Sequence, residues 1–164
     1  MSTSDSQEYL GWKSPRFTKY LVFLNFSFHR FMSRKLRSIG VSLSGYPVLL
    51  YLYYAAKSNM GDFTQMHLAR ETGQDKGLLS RSLQKLAQQG YIDISPSGDN
   101  RLSNLVNITN DGMEIGEKIH SFVWEWEKRF WSDTLSEDER TACLKAVQTM
   151  SSAILEEDHC SNNR

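Results

Sequence analysis

The residues best suited to chemistry lie on one side of a predicted helix between Asp75 and Gly90. Leu79, Leu83 and Leu86 recur at helical spacing, so they are expected to face the protein interior. The opposite side would then present polar and basic side chains and one glycine: Lys76, Gly77, Ser80, Arg81, Gln84 and Lys85. Such a set suits contact with nucleic acid, although an ordinary solvated helix face can carry the same residue types.

Several of these residues have a distinct chemistry toward double-stranded DNA. In the major groove, Arg81 can bond guanine through two hydrogen bonds, and Gln84 can do the same for adenine. Lys76 and Lys85 suit phosphate. Gly77 has no side chain and would let the backbone approach the DNA closely. We therefore predict that this face reads DNA bases.

A helix-turn-helix would present this face. Thr64 is expected to cap a short first helix that Gly73 ends, and Asp75 to cap the second helix, which Gly90 ends. Thr64 and Gln65 could also meet a DNA phosphate through hydroxyl, amide and backbone N–H groups. Plain capping would account for Thr64 equally well.

Three local expectations accompany this motif. Ser42 or Ser44 is expected to cap the helix that precedes it. Met66 is expected on the apolar side of the first helix, with Leu68 and Ala69, and His67 is expected to be exposed.

A β-hairpin is predicted directly after the helix-turn-helix, which makes it a wing. Residues 91–94 and 105–108 have the composition of strands, and residues 96–100 form a turn cluster. Arg101 would reach the minor groove, with Asp99 orienting it through an ion pair and Asn100 beside them. In the alternative, Asp99 bonds its own turn and Arg101 is merely solvated.

Further helices are predicted on both sides of this motif. The first runs from Pro15 to about Ser38 and is apolar over most of its circumference, so it must bury two faces. A long helix starts after Thr109 and reaches about Trp131, and a capping box, Ser136 with Glu139, begins the last helix. In a chain of 164 residues, the excess apolar surface favours a second subunit as the partner.

In this order and at these spacings, several short motifs resemble the MarR (multiple antibiotic resistance regulator) family. They are Thr64-Gln65-x-x-Leu68-Ala69, Leu79-Ser80-Arg81 with Leu86-x-x-x-Gly90, Asp99-Asn100-Arg101, and Ile108-Thr109-x-x-Gly112. The resemblance implies a mainly α fold, a winged helix-turn-helix at about 44–110 with dimerisation helices at about 15–38 and 110–157. Residues 1–14 and 158–164 would be tails. It also implies a homodimeric transcriptional regulator, expected to be a repressor, that binds a near-palindromic DNA operator.

The same resemblance places a ligand pocket between the dimerisation helices and the winged domain. The candidate lining residues combine an aromatic wall with one cation, which suits a small aromatic acid: Phe26, His29, Arg30, Tyr46 and Trp124. Ordinary core packing, with His29 and Arg30 solvated, is the favoured alternative.

Other classes of function find little support in the sequence. No catalytic motif is present, no cofactor is expected, and Cys143 and Cys160 lack the spacing of a metal site. No stretch has the length or apolarity of a membrane helix, and the polar first residues do not resemble a secretory signal, so a cytoplasmic protein is expected. Residues 62–110 carry five basic and five acidic residues. That neutrality leaves a protein-binding winged helix without a DNA role as the alternative.

Overall fold

The computed structural model describes residues 17–61, 63–96 and 104–161, without the side chains of residues 158–161. The chain divides into two compact units, residues 1–120 and 121–164, and each is described separately. The predicted N-terminal tail, 1–14, lies outside the described residues, as do residues 162–164 of the predicted C-terminal tail.

Two helices open the first unit. Helix α1 spans Phe17–Arg37 and helix α2 spans Tyr46–Lys57. Pro47 lies in the first turn of α2, where its missing N–H removes no helical hydrogen bond. The prediction that Ser42 or Ser44 caps α2 is wrong, since Gly45 is the N-cap residue and α2 has no side-chain cap. Ser42 Oγ instead accepts a hydrogen bond from Gly45 N, at 3.1 Å, in the turn before the helix.

The predicted helix-turn-helix follows. Helix α3 spans Gln65–Thr72 and helix α4 spans Lys76–Gln88. Both predicted caps are present, because Thr64 Oγ1 accepts from His67 N at 3.2 Å and Asp75 Oδ1 from Leu78 N at 2.8 Å. Between the helices, Gly73 has φ +65°, a left-handed conformation that favours glycine and allows the tight turn.

A three-stranded antiparallel sheet supports the motif. Strand β1 spans Phe63–Thr64, β2 spans Ile92–Pro96 and β3 spans Asn104–Ile108, in the order β1-β3-β2. Ile92 lies opposite Ile108 and Pro96 opposite Asn104, so the predicted hairpin is confirmed. Pro96, which we placed in the turn, belongs to β2. An edge strand such as β2 tolerates proline because one of its sides needs no ladder hydrogen bonds.

One apolar core joins these elements. Leucines from α2, α3 and α4 meet side chains from the sheet and the neighbouring helices, as helical and strand periodicity require. The most deeply buried members are Met32, Leu36, Val48, Leu49, Leu52, Leu68, Leu79, Leu83, Leu86, Ile92, Val106 and Ile119. The predicted mainly α winged helix-turn-helix is thus confirmed.

Two long helices complete the chain. Helix α5 spans Asn110–Glu127 and continues into a π-helical turn, Lys128–Ser132, which the sequence did not predict. Helix α6 spans Glu137–Ser161 and so extends past the predicted boundary at residue 157. Its predicted capping box is present, since Glu139 Oε2 accepts from Ser136 N at 2.8 Å and Glu139 N donates to Ser136 Oγ at 3.4 Å.

Candidate nucleic-acid interface

Helix α4 is divided sharply into a buried side and an outer side. Leu79, Leu83 and Leu86 are at most 2% exposed, as their spacing predicted. Ser82 is also buried, and its hydroxyl has no hydrogen-bond partner among the described residues. Its spacing from Leu79 and Leu86 places it on the buried face, but its polar side chain hid that signal in a prediction based on apolar residues.

The outer side of α4 carries the predicted DNA-reading residues. Ser80 is half-buried. The other five are exposed: Lys76, Gly77, Arg81, Gln84 and Lys85. A side chain at Gly77 would place its Cβ 3.3 Å from Asp75 Oδ1 and 3.6 Å from Arg81 Nη1. The Arg81 guanidinium therefore lies back over the first turn of α4, in space that the glycine leaves open. The role of these residues toward DNA stays a prediction.

At the start of α3, Thr64 and Gln65 are both half-buried. Thr64 forms the expected cap through its hydroxyl, at 3.2 Å from His67 N. The backbone N–H groups of the first turn of a helix point outward along its axis, which suits an anion. Contact of Thr64 or Gln65 with phosphate stays a prediction.

An aromatic cluster behind α3 was missed at the level of sequence. His67 was expected to be exposed, but it is half-buried, with its ring tilted 30° to Phe63 at 5.2 Å between centroids. Tyr51 Oη lies 2.7 Å from His67 Nε2. Burial raises the pKa of Tyr51, and the nearby Glu71 raises it further. Tyr51 comes from α2, so only the tertiary fold brings it to His67 and thereby ties α3 to α2.

Met66 also departs from expectation. It was assigned to the apolar side of α3, yet its side chain is 76% exposed. Met66 and Leu68 are two positions apart, which places them on nearly opposite sides of a helix. Since Leu68 is fully buried, Met66 must face outward.

The base of the wing is held by Thr109, between β3 and α5. Its backbone N donates to Tyr91 O at 3.1 Å, and its hydroxyl donates to Gly90 O at 2.7 Å while accepting from Gly112 N at 3.0 Å. Gly112 packs tightly here, because a Cβ on it would lie 2.0 Å from Tyr91 O. The predicted wing-tip contacts Asp99, Asn100 and Arg101 lie outside the described residues.

The predicted ligand-pocket residues are described in two separate units. In the first unit, Phe26, His29 and Arg30 are exposed, while Tyr46 is half-buried with its ring 6.4 Å from that of Phe28. Burial raises the pKa of Tyr46 above its usual value. Trp124 belongs to the second unit and is exposed within it. The pocket therefore stays a prediction.

A cavity of about 330 Å³ lies elsewhere in the first unit. It is lined by Ser33, Leu36, Arg37 and residues 40–43, where α1 ends and the chain turns toward α2. None of the predicted pocket residues lines it.

Large apolar side chains are exposed on helices that flank the motif. Toward its C-terminal end α1 buries Met32 and Leu36, but its N-terminal half exposes a run of apolar residues: Phe17, Leu21, Val22, Phe23, Leu24 and Phe26. In the second unit, α6 exposes Leu144, Val147, Met150, Ile154 and Leu155. Contiguous exposed apolar surface of this extent marks an interaction site.

The described part of the chain holds neither a candidate metal site nor a candidate membrane helix. Residues 17–61, 63–96 and 104–157 contain no group of three or more histidine, cysteine or acidic side chains able to hold a metal ion. Among the helices described, none has the length and apolarity needed to span a bilayer.

Two short helices around a glycine turn, followed by a hairpin, define a winged helix-turn-helix protein. Residues 39–101 match the sequence model of the MarR family. The chain is also 27% identical, over 134 residues, to the HTH-type transcriptional regulator BilQ of Clostridium symbiosum; the match covers 82% of this chain and 89% of that protein.

Solved structures show the same fold. MepR of S. aureus in its DNA-binding conformation is 19% identical with a TM-score of 0.75, covering 85% of this chain and 98% of MepR. BpsR of Bordetella bronchiseptica, whose DNA binding is regulated by 6-hydroxynicotinic acid, is 17% identical with a TM-score of 0.72, covering 85% and 96%. At such identities these two structures establish likeness of fold alone. The chain therefore shares the winged helix-turn-helix fold of these structures, and residues 39–101 are similar in sequence to the MarR family.

Proposed function

We propose that this chain is a dimeric transcriptional regulator that reads a near-palindromic DNA operator with helix α4. The observation that carries the proposal is the division of α4: three leucines are buried, while Lys76, Arg81, Gln84 and Lys85 remain exposed on the other side. A helix held by one face and free on the other can enter the major groove. Its guanidinium and carboxamide groups can there distinguish bases.

Two further features support binding to DNA. Thr64 caps His67 N in the first turn of α3, and the other N–H groups of that turn would meet an adjacent phosphate. The hairpin β2–β3 follows α4 directly, and its strands pair from Ile92–Ile108, next to Thr109, to Pro96–Asn104 at the other end. Arg101, which lies between the two strands in sequence, would contact the minor groove, with Asp99 and Asn100 beside it.

The dimer in this proposal rests on exposed apolar surface in each unit. Phe23 and Leu24 of α1 are each 50% exposed, and Leu144 and Ile154 of α6 are 51% and 61% exposed. Burying such surface between two copies of the chain would remove it from water, and a two-fold dimer matches the symmetry of a palindrome. The two recognition helices would then lie about 34 Å apart, one turn of DNA.

We further propose repression that a small aromatic acid relieves, acting at Phe26, His29, Arg30, Tyr46 and Trp124. A dimer seated on an operator excludes other proteins from that DNA. An aromatic acid bound by Arg30 would favour a conformation with poor operator contact, and BpsR supplies a precedent among proteins of this fold. A titration of benzoate-type and nicotinate-type acids against the operator complex tests this, and no loss of DNA binding with any of them would reject it.

The first experiment is selection of DNA by the purified protein from a random pool, followed by salt titration of the winning sequence. The proposal expects an enriched near-palindrome and affinity that falls steeply with salt, because lysine and arginine release counterions on binding phosphate. An unenriched pool with a flat salt response would favour the protein-binding alternative.

Arg81→Ala then tests the reading face. Loss of a bidentate guanine contact should cost about 1–3 kcal/mol of operator affinity and relax preference at one position of the site. Lys118→Ala is the matched control, since Lys118 is an exposed cation on α5 away from α4, and its loss changes net charge equally. Equal effects of the two variants would mean that Arg81 acts only through charge.

A further inference from the structure

Helix α4 is tied at both ends to the chain segment between α1 and α2. Gln74 precedes the α4 cap, and its Nε2 donates to Ser44 O at 2.7 Å. Gln89 follows the last turn of α4, and its Nε2 donates to Gly40 O at 2.9 Å. Both acceptors lie in residues 38–45, which we call the α1–α2 linker. Because a carbonyl oxygen can only accept, the amide nitrogen of each glutamine must face it.

The linker is in turn fixed to α1. Val41 N donates to Leu36 O at 3.2 Å, and Ser38 N donates to Lys35 O at 3.2 Å, so the linker continues directly from the last turn of α1. Val41 is 5% exposed and Leu36 is 1% exposed, which buries this junction in the core. A displacement of the C-terminal end of α1 would therefore move the two carbonyls that hold α4.

The two glutamines add little net stability. The hydrogen bond of Gln74 is partly buried and that of Gln89 is exposed, and the Oε1 atoms of both side chains are buried without a hydrogen-bond partner in the described part of the chain. The gain from one bond and the cost of one unpaired oxygen are of similar size. Their main effect is therefore on where α4 lies.

We propose that Gln74 and Gln89 are positioning residues that fix α4 to the end of α1. The geometry of the proposed dimer surface on α1 would then determine how α4 meets the DNA bases. This inference rests on the proposed DNA-reading function. In a two-fold dimer, the separation of the two recognition helices must match the operator. A helix held only by apolar contacts can slide or tilt, whereas two directional hydrogen bonds at opposite ends remove that freedom.

The test compares neighbouring glutamines in the full-length protein. Gln89→Met keeps the size of the side chain and removes the donor, and Gln89→Glu keeps the shape but sets a carboxylate against Gly40 O. Gln88→Met and Gln88→Glu are the matched controls, because Gln88 is exposed at the C-terminal end of α4 and makes neither bond. Gln74→Met tests the other tie independently.

The measured quantity is the ratio of affinity for the selected operator to affinity for scrambled DNA. Loss of a tie should lower this ratio about three- to tenfold, with Glu worse than Met at position 89, while the Gln88 variants keep the wild-type ratio. Affinity for scrambled DNA and its salt dependence should stay unchanged in the Met variants, since no phosphate contact is lost. A role in folding alone would lower the unfolding temperature and leave the ratio intact.

Amide hydrogen exchange supplies a readout that needs no DNA. Gln89→Met should change the overall stability little, but it removes the attachment of the C-terminal end of α4 to Gly40. Local opening should therefore be easier, and exchange in residues 85–90 should be about three- to tenfold faster in Gln89→Met than in Gln88→Met. If wild-type protein prefers its operator while Gln89 and Gln88 variants match in ratio and in exchange, the positioning role is overturned and the DNA-reading function stands. If wild-type protein shows no sequence preference, the proposed function fails and this role fails with it.

Discussion

Gly112→Ala probes the junction between the wing and helix α5. A Cβ at this position would lie 2.0 Å from the backbone oxygen of Tyr91 and 2.7 Å from Ile108 Cγ1, whereas real contacts of a Cβ stay above 3.0 Å. Helix and strand would have to separate by about 1 Å, a shift of the kind that overpacking produces. Tyr91 O and Gly90 O also accept the two Thr109 hydrogen bonds, so that movement would stretch both.

The expected loss of stability combines three effects. Overpacking costs about 1–3 kcal/mol, and weakening two hydrogen bonds adds about 1–2 kcal/mol. The higher helix propensity of alanine offsets this loss by about 1 kcal/mol of stability. The net expectation is a decrease of about 1–4 kcal/mol in the free energy of unfolding, a substantial part of a typical domain's stability.

Urea unfolding at one fixed protein concentration measures this quantity, because the stability of the proposed dimer would depend on concentration. Gly61→Ala is the control, since Gly61 is exposed and no atom lies within 4 Å of the Cβ it would gain. That variant should stay within about 0.5 kcal/mol of the parent. If Gly112→Ala costs no more than Gly61→Ala, the close approach of α5 to the strand is not as described.

Three further predictions address the dimer and the helix caps. Leu24→Glu, on the exposed half of α1, should raise the dissociation constant of the proposed dimer at least about 100-fold in sedimentation experiments, because it places a charge in each half of an apolar interface. Met66→Glu is the control and should leave sedimentation unchanged. Equal behaviour of the two variants would reject α1 as the dimer surface. Asp75→Ala should lower stability by about 1 kcal/mol in thermal unfolding, because Leu78 N loses its cap, and no change would contradict that bond. The hydrogen bonds from Ser136 hold the pKa of Glu139 below its usual value of about 4.5, so this carboxylate stabilises α6 above that pH and the contribution disappears as the pH falls through the lowered pKa. Glu139→Gln should therefore flatten the acid side of a curve of helicity against pH. An unaltered curve would mean that the Ser136–Glu139 capping box does not stabilise α6.

The sequence by itself determined the elements whose signals are local. The spacing of Leu79, Leu83 and Leu86 predicted the buried side of α4, because helical periodicity is a property of neighbouring residues. Thr64, Asp75 and Ser136 predicted the starts of helices, because the side chain of a cap residue bonds a backbone group only a few residues away. These signals sufficed for the winged helix-turn-helix and for the exposed face that we propose reads DNA.

Only the tertiary structure decided the contacts between distant parts of the chain. The Tyr51–His67 bond, the two glutamine ties to Gly40 and Ser44, and the short strand β1 all join residues far apart in sequence, so no local pattern encodes them. Gln88 and Gln89 show what local sequence patterns cannot predict. They are identical neighbours in sequence, yet Gln88 faces solvent and Gln89 bonds Gly40 O, because a rotation of about 100° per residue turns only one of them toward the linker.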